Sequence, residues 1–413
     1  MLAGTNSRHA SVYNRRAVFE TIRLGEDITR AEIAAATGLT SATITYVVRD
    51  LIAQGLVRET GPKQVENGRA GIGLDIVAEA GFSIGLHMGR DVVTGVLIDL
   101  KGEVHDRVVH SAPLPEPREA MARLVEAFER FAAHPSVDAD RILGVGLVTA
   151  GPLDVRAGRI TGGPQMPGWE QERLPHDMAA AARRPVHFDN SGTAAAIGER
   201  WFGAGRRFGD FLLVTIGQGV GGGLILDGRV HRGRGLNAGE LGHMVVDPNG
   251  HRCPCGARGC LETRFSLSAL RRDLGPDFVS YDQLERRIAA RDPALMAWFE
   301  DVSPFLAQAI GAVDNLLDLD AVILGGHIGR FPAEVLEFIR HDVERSLPRF
   351  RMAGRPHAAR LEVSSVRDSA EALGAATLPI DHAFFPDPAL GLISKSAHDT
   401  GHRHEEGVFT AKA

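Results

Sequence analysis

Two neighbouring segments carry the strongest fold signal of the chain: Ala238-Gly-Glu-Leu-Gly-His243 and, beginning ten residues after His243, Cys253-Pro-Cys-Gly-Ala-Arg-Gly-Cys260-Leu-Glu262. The second segment holds all three cysteines of the chain. Thiols that bunch between turn-forming glycines, with a histidine upstream, supply the ligands and chain reversals of a tetrahedral Zn²⁺ site. We therefore predict a structural zinc site made by His243, Cys253, Cys255 and Cys260. Three reduced thiols in a loop beside an unrelated histidine are the alternative.

Composition narrows the class of protein. A chain of 413 residues is too long for one ordinary core and predicts two to four compact units. Apolar residues make up 44% and charged residues 24%, which is typical of a soluble globular protein. The odd number of cysteines, the lack of a signal peptide or long apolar run, and the CxC spacing argue against a disulfide and for a cytoplasmic protein.

Charge is distributed unevenly along the chain. The net charge is −6, whereas residues 1–70 hold nine Lys/Arg and seven Asp/Glu, a balance of +2. This mild asymmetry permits a DNA-binding N-terminal domain, because phosphate contacts need local basic positions and not a high overall pI.

Residues 12–56 read as three helices joined by short turns. Thr29 and Glu32 match a capping box, and a glycine turn precedes the third helix, which begins near Thr40 and Ser41. One stripe of that helix is apolar, at Ile44, Val47, Val48 and Leu51. Its other side is polar, and a strand and a glycine-rich hairpin follow at residues 56–73.

This order is typical of a winged helix-turn-helix in which the third helix reads DNA. We predict base or phosphate contacts from the outer face of that helix and backbone contacts from the wing, at Thr40, Ser41, Thr43, Thr45, Tyr46, Arg49, Lys63 and Arg69. A three-helix packing domain without a nucleic-acid partner is the alternative.

From residue 82 onward, apolar strands alternate with helices. Strands are predicted at 82–86, 92–100, 142–148, 186–189, 211–216, 223–226 and 321–324, and an amphipathic helix at 118–133. This pattern predicts α/β layers with ligands at the glycine-rich strand ends. Two such ends occur, at 215–223 and 324–326, where backbone amides can approach a phosphate or sugar, although a glycine-rich hairpin does not require a ligand.

Taken together, these motifs resemble the ROK family of bacterial sugar kinases and sugar-responsive repressors over residues 12 to about 385. The segments at 238–243 and 253–262 look like the family's zinc signature and sugar-site segment; Asn190 with 193–199, the 215–223 loop and 324–328 also fit. A winged head before the kinase-like part is similar to the regulator branch. The resemblance implies a two-lobed actin-like fold after the winged helix.

The resemblance also implies the residues of the sugar site and the domain bounds. Sugar hydroxyls would contact Asn190, Glu240, His243 and Glu262, with Trp169 either beside the sugar or in the core; the glycine loop at Gly217, Gly219, Gly221 and Gly222 would be a vestigial phosphate loop. We expect a DNA-binding domain at 1–75, a first lobe at 80–190 completed by a helix near 366–385, a second lobe at 191–365, and a flexible tail at 390–413.

Two departures from the kinase pattern stand out. Eight residues before Glu199, where kinases of the family place the aspartate that deprotonates the sugar, this chain has Ser191. The first phosphate loop, Asp-x-Gly-x-Thr in those kinases, is His87-Met88-Gly89-Arg90-Asp91 here. Loss of a general base removes about 10²–10⁴ in rate, and Asp189 lies two positions too early to replace it by direct contact.

We therefore expect a DNA-binding transcriptional regulator, a repressor, that binds a sugar without phosphorylating it. Structural Zn²⁺, operator DNA, a sugar effector and at least a homodimer are the expected cofactor and partners. A bifunctional sugar kinase with a DNA-binding domain and a zinc-responsive regulator remain the alternatives.

Overall fold

Three helices and a three-stranded sheet begin the computed structural model, which describes residues 7–64, 70–89, 92–111, 116–161, 168–169, 172–275, 281–326, 333–346, 359–366, 369–384 and 408–409. The helices are α1 (Ser7–Leu24), α2 (Arg30–Thr37) and α3 (Ser41–Ala53). The strands are β1 (Ile28–Thr29), β2 (Val57–Gln64) and β3 (Ala70–Ile76), in the spatial order β1-β3-β2. We call this part, up to Ile76, the head.

The local sequence explains how the helices of the head begin and pack. The Thr29 hydroxyl accepts from the Glu32 N–H while the Glu32 carboxylate accepts from the Thr29 N–H, which is the predicted capping box. Thr40 caps α3 in the same way by accepting from the Thr43 N–H. The predicted apolar stripe of α3 is buried, at Ile44, Val47, Val48 and Leu51.

The first large sheet has six strands in the order β16-β10-β7-β4-β5-β6, in which β16 is Val408–Phe409. An antiparallel meander of β4 (Phe82–Met88), β5 (Val92–Asp99) and β6 (Val104–Ser111) precedes the parallel strands β7 (Ile142–Thr149) and β10 (Val186–Asn190). Helices α4 (Pro117–Ala132) and α5 (Leu174–Ala182) accompany this sheet, and β8 (Leu153–Asp154) pairs with β9 (Arg159–Ile160) beside it.

The second large sheet repeats the arrangement of the first. Its meander consists of β11 (Phe211–Ile216), β12 (Val220–Leu226) and β13 (Arg229–His231), and its parallel strands are β14 (Ala321–Gly326) and β15 (Arg360–Val363). Helices α7 (Leu267–Leu274), α8 (Tyr281–Ala289), α9 (Pro293–Leu317) and α10 (Ala333–Ser346) accompany it. The order β13-β12-β11-β14-β15 is equivalent to β6-β5-β4-β7-β10 in the first sheet, so the two lobes share one topology.

Two helices lie between the sheets. Helix α11 (Ala370–Phe384) packs on the first sheet, where the Ser83 hydroxyl donates to the Ala376 carbonyl at 2.6 Å. Helix α6 (Ser191–Phe202) packs on the second sheet through its alanines, and Ala195 and Ala196 share a buried cluster with Phe211 and Leu213. The predicted α/β architecture, a winged head followed by a two-lobed actin-like fold, is confirmed.

The C-terminal stretch adds an edge strand to the first sheet. Of residues 390–413, the structure describes only β16 (Val408–Phe409), which pairs antiparallel with Val186 and His187 of β10 and so departs from a free tail at those two positions. The pairing satisfies the backbone groups of an otherwise open sheet edge. Within the described residues, no helix has the length and apolarity needed to cross a bilayer.

Candidate functional site

One cavity lies between the two sheets, at the N-terminal ends of α6 and α11. Its volume is about 640 Å³, within the range that small-ligand sites occupy. The strand ends, the glycine hairpin between β11 and β12, and the segment around the cysteines supply its walls. Polar side chains on the lining include His87, Thr161, Asn190, Ser191, Thr215, Gln218, Asn237, Glu240, His243, Glu262 and Glu371.

A cluster of four metal-ligating side chains borders this cavity. The ligand atoms of His243, Cys253, Cys255 and Cys260 all lie within 4.8 Å of one another. The Cys255 and Cys260 sulfurs are 3.6 Å apart, and the Cys253 sulfur is 3.5 Å from His243 Nδ1. Ligands at zinc bond lengths in a tetrahedron have S···S and S···N separations of about 3.8 and 3.6 Å. The donor set and its spacing therefore fit zinc.

The three thiols differ in pKa. Burial raises the pKa of Cys253 and raises that of Cys260 to about 12, whereas the Ala257 N–H lowers the pKa of Cys255. Thiols must lose their protons to ligate, and a metal is what makes that loss favourable in a buried setting. A bound zinc would join the 240–243 turn to the cysteine loop, which is the chemistry it supplies here.

An ion pair and a glycine hold the cysteine loop closed. Arg264 donates from Nε to Asp247 Oδ2 at 2.8 Å and pairs with the same carboxylate through Nη2. Gly259 has φ of 73°, and a Cβ at this position would overlap the Asp247 carbonyl, so only glycine fits. The ion pair and Gly259 therefore shape the cysteine loop in addition to the candidate metal-ligating side chains.

The four residues expected to contact sugar converge on the cavity. His243 Nδ1 faces Cys253, while its Nε2 lies 3.8 Å from Glu240 Oε2, so one imidazole can serve both the metal and the cavity. Asn190 Oδ1 accepts from the Gly192 N–H at 2.8 Å, which caps α6 and leaves its amide nitrogen beside Gly151. Glu262 accepts from the Val220 N–H at 3.1 Å.

Electrostatics in this part of the cavity are acidic. Burial raises the pKa of Glu240, with a further increase from Glu262 and an opposing effect of His243. Glu371 of α11 adds a third carboxylate to the lining. Carboxylates of this kind accept hydrogen bonds from hydroxyl groups and repel phosphate groups.

Ser191 and Asp189 occupy different surroundings. Ser191 lines the cavity at the first turn of α6. Asp189 is buried; its Oδ2 accepts from Arg232 Nε at 2.9 Å and Nη2 at 2.7 Å, and its Oδ1 accepts from the Asn190 N–H. Both carboxylate oxygens are thus already hydrogen-bonded inside the protein.

The glycine loop predicted to be a vestigial phosphate loop also lines the cavity, with Gly217, Gly219, Gly221 and Gly222 all on its wall. The loop is braced from α7, because the Ser268 hydroxyl donates to the Gln218 carbonyl at 2.6 Å. His87 and Gly89 line the cavity from the other sheet, whereas Arg90 and Asp91 lie outside the described residues.

In the head, α3 presents the predicted polar face to solvent. Ser41, Thr45 and Arg49 are exposed, and Tyr46 is 62% exposed with the Arg49 guanidinium 5.7 Å from its ring centre. Thr40 is exposed at the helix start and Thr43 is half-buried beside it. This face is free to enter a groove of DNA.

Of the two predicted wing contacts, Lys63 lies within the described residues. Lys63 donates to the Asp27 carbonyl at 2.7 Å and lies 3.7 Å from a Glu32 carboxylate oxygen, so it ties the wing to the turn between α1 and α2. Arg69 lies outside the described residues.

Comparison with known proteins assigns the family. The model of the ROK family matches residues 83–382, and that of the MarR family matches residues 15–64. The chain belongs to the ROK family. Among similar proteins, the xylose repressor of Bacillus spizizenii is 28% identical over 372 residues, covering 89% of this chain and 95% of the repressor.

Two solved structures superpose on different shares of the chain. A ROK family transcriptional regulator, a homologue of the E. coli Mlc protein, superposes with a TM-score of 0.70 at 26% identity and covers 94% of this chain and 100% of its own. A ROK glucokinase from Streptomyces griseus, solved with glucose and AMPPNP, has a TM-score of 0.64 at 27% identity and covers 72% and 99%. The regulator thus covers most of the chain, head included, whereas the kinase covers a smaller part.

Sequence reasoning on the ROK chain missed some residues of the site. Arg232, which binds Asp189 under the cavity, stands in an arginine-rich run from Arg229 to Arg234 that could have drawn attention. Trp169, for which the sequence leaves open a place beside the sugar or in the core, is 1% exposed and packs in the core of the first lobe.

Proposed function

We propose that the protein is a sugar-responsive DNA-binding repressor whose kinase-like lobes bind a sugar without phosphorylating it. Three observations support this: the exposed polar face of α3, the cavity lined by Asn190, Glu240, His243 and Glu262, and the similarity to repressors along nearly the full chain. Two-fold operators would require at least a homodimer. The domain division expected above, with α11 completing the first lobe, is proposed along with it.

The proposed absence of catalysis rests chiefly on the surroundings of Asp189. Ser191 occupies the base position, and a neutral hydroxyl is a poor base. The nearest acidic neighbour in sequence, Asp189, is held by two bonds from Arg232 and is buried away from the cavity. A general base must reach the proton it removes, directly or through one water.

A thermal-shift screen against neutral sugars and their phosphates tests the sugar site. We expect a neutral sugar to raise the unfolding temperature, because a ligand stabilises by RT ln(1 + [L]/Kd). Its phosphate ester should bind more weakly, because Glu240, Glu262 and Glu371 line the cavity. The same sugar should change operator affinity; stabilisation by no sugar on the panel would contradict the proposal.

Arg49→Ala tests the reading helix. If Arg49 contacts a guanine, its loss should weaken operator binding by about 1–3 kcal/mol and relax specificity at one base pair. Gel-shift or fluorescence-anisotropy titration at fixed salt measures the change. Arg340→Ala, on α10 outside the head, is the matched control and should bind the operator as the wild type does. Equal affinity of Arg49→Ala and wild type would remove Arg49 from the DNA contacts.

A bifunctional sugar kinase is the second candidate, because the glycine loop and the fold of ROK kinases are retained. A coupled assay with ATP and the stabilising sugar separates the two candidates. We expect no turnover above a protein-free blank. Turnover above the blank that requires both ATP and the sugar would establish the kinase and contradict the repressor-only proposal.

Zinc is proposed as a structural ion and not as the signal. Four protein ligands close a coordination shell, which is typical of structural zinc. A zinc-responsive regulator would instead lose operator affinity as free zinc changes in folded protein, without any sugar response.

A further inference from the structure

Two helices connect the cavity with the head. Helix α6 starts at the cavity, where Asn190 caps it and Ser191 lines the wall, and its last turn, with Arg200 and Trp201, lies against α1. Helix α11 starts beside the cavity with Glu371 on the lining, and its last turns also reach α1. At 1.5 Å per residue each helix spans about 20 Å.

The two helices belong to different lobes and meet face to face. A Cβ on Gly374 of α11 would overlap the Ala194 carbonyl of α6, and a Cβ on Gly198 of α6 would overlap the Ala370 carbonyl of α11. Small residues let the helices touch along their backbones. Because α6 packs on the second sheet and α11 on the first, a change in the angle between the lobes must change this contact.

Helix α1 of the head touches both helices along one stripe. Arg16, Glu20 and Arg23 recur at spacings of four and three residues and therefore share a face. Glu20 Oε2 is 2.7 Å from Arg200 Nη2 of α6, and Arg16 Nη2 is 2.9 Å from Asp381 Oδ2 of α11. Arg16 Nε also donates to Glu20 Oε1 at 2.9 Å, which joins the two pairs into one network.

Ring contacts flank this network on both sides. The Arg23 guanidinium lies 4.1 Å from the Trp201 ring centre of α6, and Phe19 stacks on Phe384 of α11 with centroids 6.5 Å apart. Burial lowers the pKa of Arg23 to about 10, helped by nearby cationic residues. Burial tends to raise the pKa of Glu20, but Arg200 and Arg16 outweigh it, and the pKa falls below its usual value.

The contact is incompletely hydrogen-bonded. Among the residues that the structure describes, five buried side-chain polar atoms lack a hydrogen-bond partner, and three of them lie here: Arg23 Nε, Trp201 Nε1 and Asp381 Oδ1. Buried polar groups are normally paired, so these three atoms set the contact of α1 with α6 and α11 apart from the rest of the described core.

We propose that α1 senses the relative position of α6 and α11 through Glu20 and Arg16, so that sugar-driven closure of the cavity moves the head. This inference rests on the proposed sugar-responsive function. Glu20 is paired with α6 and therefore moves with the second lobe. Arg16 is paired with α11 and therefore moves with the first lobe. A shift of one helix past the other strains the network, and α1 relieves the strain by moving with α3 and the rest of the head.

Glu20→Gln in the full-length protein tests the inference. The quantity to measure is the ratio of operator Kd with and without saturating sugar. Coupling between sites is typically about 5–150-fold; we expect a wild-type ratio in this range and a Glu20→Gln ratio within about twofold of 1. Sugar affinity by calorimetry should stay at the wild-type value, because Glu20 lies at the far end of α6 from the cavity.

Glu59→Gln is the matched control. It removes the same charge from the head, where Glu59 pairs with Arg30 at 2.7 Å and not with α6 or α11. The control should keep the wild-type ratio. A Glu20→Gln ratio equal to that of wild type and control would overturn the inference while leaving the proposed function intact; a wild-type protein whose operator affinity ignores sugar would contradict both.

Hydrogen exchange on the wild-type protein provides a test that does not depend on a variant folding. Saturating sugar should slow or speed amide exchange in α1 as well as around the cavity. If exchange slows at the glycine loop of 217–222 while α1 is unchanged, the head does not sense the lobes through α1 and the inference is wrong.

Discussion

Cys260→Ser should cost the protein both its zinc and its sugar-induced thermal shift. Cys260 is fully buried, and its sulfur is one of four ligand atoms within 4.8 Å of one another. Structural zinc sites contribute folding free energy directly, with apparent values of about 10–16 kcal/mol in small domains. Without the ion, the turn that carries Glu240 and His243 is no longer joined to the loop that precedes Glu262. Metal content by elemental analysis and sugar-dependent melting measure the two losses.

Glu262→Gln is the control that separates metal from sugar. Glu262 lines the cavity and accepts from the Val220 N–H, but it is not one of the four ligands. The Glu262→Gln protein should retain about one zinc per chain and still lose most of the sugar-induced rise in unfolding temperature. A metal-free Cys260→Ser protein with the wild-type sugar response would contradict the proposed role of the site as a brace for the cavity.

Asp189→Asn should be among the most destabilising single substitutions in the lobes. The Asp189 side chain is 4% exposed and is the partner of Arg232, whose side chain is 26% exposed. Removing one member of a buried pair leaves the other charge uncompensated, at a cost of about 3–5 kcal/mol. We expect about 3 kcal/mol, at the lower end, because Arg232 retains some access to water. Urea unfolding followed by far-UV circular dichroism measures the difference.

A second substitution distinguishes lost pairing from lost packing. Asp189→Asn with Arg232→Met removes both charges and should recover most of the stability, since replacing a buried pair with uncharged groups is often neutral. Glu337→Gln, which breaks an exposed pair with Arg340, should change stability by at most about 1 kcal/mol. If Asp189→Asn lowers the free energy of unfolding no more than Glu337→Gln does, the pairing with Arg232 contributes little to stability beneath the cavity.

Local signals made much of the fold predictable. Phe211–Ile216 is a strand with the predicted bounds, and α4, Pro117–Ala132, differs from the expected 118–133 by one residue at each end. The capping box of α2 and the buried stripe of α3 follow from residues three and four positions apart. Such features depend on residues that are close together in the chain, so they can be predicted from the sequence alone.

The Cys₃His cluster was predictable for the same reason. Cys253, Cys255 and Cys260 lie within one loop, and His243 is only ten residues earlier, so short chain reversals bring all four together. Lys63 shows the opposite case. Its positive charge in a wing predicts a DNA backbone contact, and only the structure shows that one of its N–H donors bonds to the Asp27 carbonyl and that a Glu32 carboxylate oxygen lies 3.7 Å away.

The winged head, the α/β pattern, the Cys₃His cluster and Ser191 are each written in a short stretch of chain, so the sequence was enough to predict them. The pairing of Arg232 with Asp189 beneath the cavity and the contact of α1 with both α6 and α11 became visible only in the three-dimensional packing. Those contacts join residues 43, 180 and 365 positions apart. Side-chain pairs at such separations depend on how the two lobes and the head pack, and sequence spacing does not encode that packing.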